Sequence, residues 1–353
     1  MSYKNGMAAI NLEMPDTVPR TEYSADFHWD LVNKVTGSFI DENSTGKERI
    51  AASSAFINAW DYGMVWNILI HNQIFGDKRT DMGHAVYGTG EGNEYRDTVF
   101  NLFEDPEDVY EYDMYEAYGH RDIATLTANF DAAYESELAR GMDTVSMTGI
   151  YVSCMSGIIE LLGWDILMAA AGIDPKAFGD FVNRYTDWIQ QYFNALAACK
   201  SPVVMVHDDI VWGTGPFLHP DFYRKYIFPN YKKLLKPLHE AGKKILYTCD
   251  GDFTAFIDDV AACGVNGFVM EPLTDMAYIA EKYGKTHAFI GNADTNVLLR
   301  GSKADIEAEV KRCMDIGKKH PGFIMAVGNH IPANTPVDNA LYYDEIYRKL
   351  ARR

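Results

Sequence analysis

Pro202 to Asp252, PVVMVHDDIVWGTGPFLHPDFYRKYIFPNYKKLLKPLHEAGKKILYTCDGD, is the stretch that decides the fold. It opens on an apolar run, VVMVHDD (203–209), passes through a helical segment from Pro220 to Ala241, and ends on a second apolar run, KILYTCD (244–250). Both runs are continuously apolar rather than alternating, as expected of parallel strands buried on both faces. A strand, a helix and a second strand in this order make one parallel crossover unit.

The same alternation continues to the end of the chain. A helix from Phe253 to Cys263 leads to GFVMEP (267–272), and a helix through Ile279 leads to HAFIGNAD (287–294). A helix from Ser302 to Lys319, then GFIMAVGNH (322–330), then a last helix through Tyr342 complete five strand-helix units. Ser302 and Asp305 have the spacing of a capping box, and Ile306, Val310, Cys313 and Gly317 form one inward stripe behind it. Upstream, MVWNILI (64–70), GHAVY (83–87) and TVSMTGIYV (144–152) supply three more strands, with helices over Asp122–Arg140, Ser156–Ala171 and Pro175–Ala198. Eight strands close a (β/α)8 TIM barrel; an open doubly wound sheet is the alternative. With no Pro/Ser-rich linker and no repeat, the expectation is one domain over residues 1–353, residues 1–50 forming an N-terminal arm with helices.

Composition sets limits on function. The 353 residues are 47% hydrophobic, enough for a large core, and 50 Asp and Glu against 32 Lys and Arg give a net charge of −18. That charge repels nucleic acid and anionic membrane. The start, MSYKNGMAAINLEMPD, lacks the basic-then-apolar pattern of a signal peptide, and no long uncharged apolar run follows, so the expected location is cytoplasmic. Cys154, Cys199, Cys249, Cys263 and Cys313 are odd in number and widely spaced, which fits neither a disulfide framework nor a zinc ribbon.

The chemistry sits at the strand ends. Each of the five regular strands finishes in polar groups: His207-Asp208-Asp209, Cys249-Asp250, Glu271, Asn292 with Asp294, and Asn329-His330. In a parallel barrel these ends share one rim, where carboxylates repel one another unless a cation, a proton or a cationic ligand intervenes. A strand-end Asp or Asn also caps the helix that follows it, which is the competing reading for each residue singly. Asp208 and Asp209 precede Trp212-Gly213 and are placed to orient substrate hydroxyls, while Trp60, Trp66 and Trp212 offer an apolar wall. Arg20, Glu22 and Tyr23 line the mouth if the N-terminal arm folds over it. GTGEGNEYRD (88–97) lacks the Lys-Ser/Thr of a phosphate loop and reads as surface loop; neither a G-x-S-x-G elbow nor an HExxH helix is present.

The run HDDIVWGTGPFLHPDFYRKYIFPNYKKLLKPLHEAGKKILYTCDGD, with the later GNADTNVLL and VGNHIPANTPVDNALYY segments, resembles the uroporphyrinogen decarboxylase superfamily, which also contains methyltransferases that work with corrinoid proteins. The resemblance extends from about Val18 to the C-terminus and implies a (β/α)8 barrel with its funnel at the strand C-termini. The decarboxylases open with an arginine-rich RQAGR-type segment that grips the acidic tetrapyrrole. Here VPRTEYS, with the single Arg20, stands in that place. An eight-carboxylate substrate fits such a chain poorly.

In the thiol-using methyltransferases the resemblance implies zinc held by His-x-Cys at one strand end and Cys at a later one. This chain has Tyr247-Thr248-Cys249 at the first and His330 at the second, with Asp294 at a neighbouring end, so the implied ligands are Cys249, Asp294 and His330. The aryl-methyl-ether demethylating branch has an acidic-x14-Glu-x20-His motif, whose spacing Asp294, Glu309 and His330 match. Glu309 lies within the Ser302–Lys319 helix and is expected to be a solvated side chain.

The resemblance thus implies a substrate-activating component. Zinc assists methyl departure from a small donor, expected to be an O-methyl ether, and the acceptor is the cobalamin of a separate corrinoid protein. His330, Asp294 and Asp250 are the expected catalytic residues; Arg20, Tyr23, Asp208, Asp209, Trp212, Tyr247, Glu271, Asn292 and Asn329 are expected around the substrate. His330 acting without metal as a general acid is the variant mechanism. A homodimer is the expectation from the resemblance. The alternatives are a decarboxylase-like lyase acting on a smaller acid, and a scaffold that has lost catalysis.

Overall fold

A computed structural model describes residues 2–80 and 102–353, and between them only the backbone of 86–87 and 93–94. Seven barrel strands follow in chain order after a short extended stretch at residues 19–21, here β1: β2 (Met64–Val65), β3 (Val145–Ser146 and Thr148–Ile150, interrupted at Met147), β4 (Val203–His207), β5 (Lys244–Cys249), β6 (Gly267–Met270), β7 (Ala288–Ala293) and β8 (Phe323–Val327). Each pairs in parallel with the next from β2 to β8. Arg20 in β1 closes the ring, bridging in parallel to Tyr62 beside β2 and to Met325 in β8. The closing bonds are Met325 N–H to Pro19 O (2.8 Å), Thr21 N–H to Met325 O (3.0 Å) and Gly63 N–H to Arg20 O (2.8 Å). The result is a (β/α)8 barrel, as the strand-helix alternation predicts.

The first strand is not the expected one. Gly83–Ala85 of GHAVY lie outside the described residues, and Val86–Tyr87 pair antiparallel with Asn93–Glu94 in a separate ribbon. Of the GTGEGNEYRD segment only Asn93–Glu94, in that ribbon, are among the described residues. Residues 19–21 take the vacant position because two neighbouring edges, β2 and β8, satisfy their backbone groups. Three residues centred on an arginine have no apolar signature.

The barrel fills in two layers. Inside, Met64, Val145, Met147, Val203, Met205, Leu246, Val269, Ile290, Ile324 and Ala326 pack together. Ala9 and Ile10 of the helix Ser2–Ile10 join this cluster. They plug the N-terminal end, where a Cβ on Gly6 would lie 1.9 Å from Gly63 O. Outside, the alternate residues of each strand pack beneath the helices. The capping box at Ser302 and Asp305 is formed, and Ile306, Val310, Cys313 and Gly317 are buried. The helix Met155–Ile173 has the length and mean hydropathy, 1.5, of a membrane span, yet 67% of its apolar window is buried within the fold and it breaks at Gly163 (φ 71°).

Candidate active site at the strand C-termini

Strand parity decides which side chains reach the barrel mouth. Val203 and Met205 face the lumen, so His207, two residues further along β4, continues that inward row. Its ring lies flat against Tyr151 at the end of β3, centroids 3.9 Å apart and planes 14° apart, and its Nδ1 is 3.2 Å from Tyr151 O. A carbonyl only accepts, so Nδ1 carries the hydrogen and Nε2 the lone pair. That nitrogen stands 3.3 Å from Asp209 Oδ1 and 4.0 Å from Asp250 Oδ1. One donor atom from each of His207, Asp209 and Asp250 falls within 4.8 Å of the others, the spacing of a metal centre.

Electrostatics sharpen the point. Burial pushes the His207 imidazole down to about 3, which keeps it neutral near pH 7. Asp250 lies deep in a crevice, with 42% of its side chain facing the void, and burial together with the Asp209 and Glu271 carboxylates pushes its carboxyl well above the ordinary range. Main-chain donors hold the acidic groups in place: Asp250 N–H donates to Asp209 Oδ1 (2.9 Å) and Gly251 N–H to Glu271 Oε2 (2.7 Å). Asn329 Nδ2 donates to the other Glu271 oxygen. Lone pairs converging with carboxylates in this way are stabilised by a cation or a shared proton.

Two neighbouring spaces lie at the mouth, and Asp250 of the cluster borders the smaller one. A cleft of about 20 Å³, large enough for one water-sized occupant, is lined by Thr248, Cys249, Asp250, Asn329 and His330 among others. A cavity of about 450 Å³ shares Tyr23, Tyr151 and His330 with it and adds Phe27, Tyr62, Trp66, Asn67 and His71. Tyr23 and Trp66 stack at 4.5 Å and 7°, and the Tyr23 hydroxyl reaches down to Met205 Sδ (3.1 Å). His330 Nδ1 bonds Ser24 Oγ, and burial lowers its imidazole to about 4. Burial thus disfavours the imidazolium form that a general acid at neutral pH requires of His330.

The structure divides the sequence-predicted residues into two groups. Asp209, Asp250, Glu271, Asn329, His330 and Tyr23 gather at the mouth. Others are committed elsewhere. Arg20 is fully buried behind the barrel wall, paired with Asp344 (2.6 Å) and stacked against Trp60 and Tyr347, so it does not line the mouth. Asp208 points outward by parity and accepts from Cys154 N–H, Ser156 N–H and the Tyr231 hydroxyl, while the Tyr247 hydroxyl donates to Asp208 O (3.0 Å). Both belong to the layer between strands and helices, not to a substrate site. Asn292 is also buried, bonded to Glu271 O, Thr274 O and Arg312.

Asp294, expected as a zinc ligand, caps the helix Thr295–Arg300 through Asn296 N–H, so its carboxylate is engaged away from the cleft. Glu309 is not the solvated side chain expected: it accepts from Asp294 N–H (2.9 Å) and pairs with Arg312 (2.7 Å). Cys249 borders the cleft, but it falls out of phase with lumen-facing Leu246 and belongs to the outer apolar layer, its thiol bonded to Asp250 O and raised by burial. Trp212 is half exposed against Trp164 and Phe217, and Trp60 is core beside Arg20. The candidate metal-binding residue that sequence reasoning passed over is His207. The signal was available, since Val203, Met205 and His207 are in phase on one strand.

Residues 101–349 match the family model described as Uroporphyrinogen decarboxylase (URO-D). Among curated proteins, the chain is 26% identical over 178 residues to a uroporphyrinogen decarboxylase of Pelobacter propionicus, covering 50% of this chain and 51% of that one. It is 28% identical over 178 residues to a uroporphyrinogen decarboxylase of Syntrophotalea carbinolica, covering 50% of each. The matched stretch thus spans about half the length of these relatives. Among solved structures, a methyltransferase from Methanosarcina mazei superposes with a TM-score of 0.64 over 99% of this chain and 98% of that chain, at 17% identity, a likeness of fold.

Proposed function

The chain belongs to the uroporphyrinogen decarboxylase (URO-D) family, and within it we propose a substrate-activating methyltransferase that moves a methyl group from a small O-methyl ether to the cobalamin of a separate corrinoid protein. The observation that carries this reading is the convergence of His207 Nε2 with the Asp209 and Asp250 carboxylates beside an aromatic-lined cavity. Three nitrogen and oxygen donors, of which Asp250 borders the small cleft, fit a catalytic zinc, which keeps one position for substrate. These residues, rather than Cys249, Asp294 and His330 together, would hold it. When bound, such an ion supplies Lewis acidity to the oxygen that departs as the methyl leaves.

The chain's own residues do the rest. The stacked Tyr23 and Trp66 rings offer a flat apolar face for the donor, and Thr248, Asn329 and His330 surround the polar end of the cleft. The large cavity, about 450 Å³ and lined by Tyr23, Tyr62, Trp66 and Tyr151, has room for a small methyl donor. The partner protein brings its own cobalamin to the mouth.

Zinc analysis followed by a transfer assay tests the proposal. About one zinc per chain in the wild type, lost in His207→Ala and in Asp250→Asn, is the expected result. Incubation with a corrinoid protein, reduced cobalamin and a panel of methyl ethers should then give methylcobalamin. No turnover across the panel would favour a scaffold. The second reading, a carboxy-lyase acting on a smaller acid, draws on the names of the relatives. Its weakness is charge: among the described residues the one arginine lining the larger cavity, Arg140, is already paired with Glu137 at 3.0 Å. Release of CO2 from an acid, without methyl transfer, would establish it.

A further inference from the structure

Tyr151 stacks on His207 of the metal-spaced cluster and lines both the small cleft and the large cavity. One residue holds His207 in two ways. Its ring stacks on the imidazole at 3.9 Å and 14°, and its main-chain oxygen accepts from Nδ1 at 3.2 Å. The same ring also stacks with His71, at 5.1 Å and 25°, on the side of the larger cavity. The imidazole plane and its tautomer are therefore both set by Tyr151.

We propose that Tyr151 is a positioning residue for a divalent cation, fixing His207 so that the Nε2 lone pair meets Asp209 and Asp250. The proposal rests on the metal reading above and names the residue that prepares the site. A metal-binding histidine is ordinarily oriented by a partner on its other nitrogen, and here that partner is a carbonyl belonging to the residue whose ring also fixes the plane. The hydroxyl of Tyr151 has no part in either contact, so the flat ring is the feature to test.

Cobalt(II) is the probe, read by chelator competition and by its visible absorption bands, on the full chain. Wild type and Tyr151→Phe should bind one ion with the same affinity and the same bands, because ring and carbonyl both survive. Tyr151→Ala should bind about 10- to 100-fold more weakly, the usual cost of losing such a support, with shifted bands. Tyr151→Leu retains apolar bulk and the carbonyl but not the flat face, and should show the same loss; it decides the matter if the alanine variant does not fold. His71→Ala removes the ring stacked on Tyr151 from the cavity side and its bond to Ile68 O, leaves the Tyr151–His207 contacts in place, and should keep the affinity. Folded Tyr151→Leu with wild-type affinity and bands would overturn the role of Tyr151 while leaving the metal centre standing. Wild type binding no more cobalt than His207→Ala would overturn the metal reading and this inference together.

Discussion

His207 and Cys249 end neighbouring strands, and one step of alternation separates their fates: the imidazole continues the lumen-facing row of Val203 and Met205, and the thiol falls in with the outer layer. The sequence shows which residues end the strands; it shows which face they take only once strand phase is applied residue by residue. Asp208 and Asp209 make the same point, the first buried as a helix-capping group and the second beside His207. Glu22 adds a titration. It accepts from Val327 N–H (2.9 Å) and the Tyr343 hydroxyl (2.7 Å), and burial raises its carboxyl from 4.5 to about 7 despite Arg20 nearby. Since the folded value lies above the unfolded one, Glu22 favours the folded state below pH 4.5 and that contribution is lost as pH rises through about 7. Urea midpoints should therefore fall more steeply across that window in wild type than in Glu22→Gln. Parallel pH profiles for the two proteins would refute this assignment.

At the scale of elements, five strand-helix units were legible because their strands are buried on both faces and so spell continuous apolar runs. The capping box at Ser302 was legible for a similarly local reason, its two residues standing three apart. β1 was not. It is held by what surrounds it: Arg20 packs between Trp60 and Tyr347 and pairs with Asp344, and its Nε donates to Trp60 O (2.8 Å). No local pattern encodes contacts made across more than 300 positions of chain, such as that to Asp344 (324 apart). Arg20→Ala removes the charge that this pocket is built around, and should cost about 3 kcal/mol, the range found on breaking a buried ion pair. A urea-unfolding difference under about 1 kcal/mol would show that the closing strand is held by its backbone bonds alone.

For the whole molecule, closure is what turns separate strand ends into one site. A helix plugs the lower end of the barrel, the lumen is packed with side chains, and the polar residues that terminate β3, β4, β5 and β8 face a single mouth. The net charge of −18 sits easily with a centre that draws in a cation and poorly with a polyanionic substrate. The most direct measurement is an anomalous difference map at the zinc edge from crystals grown with zinc. The account predicts one strong peak about 2.0–2.2 Å from His207 Nε2 and from an oxygen of Asp209 and of Asp250. A peak held instead by Cys249 and His330, or by Asp294 and Glu309, or no peak at the mouth, would contradict it.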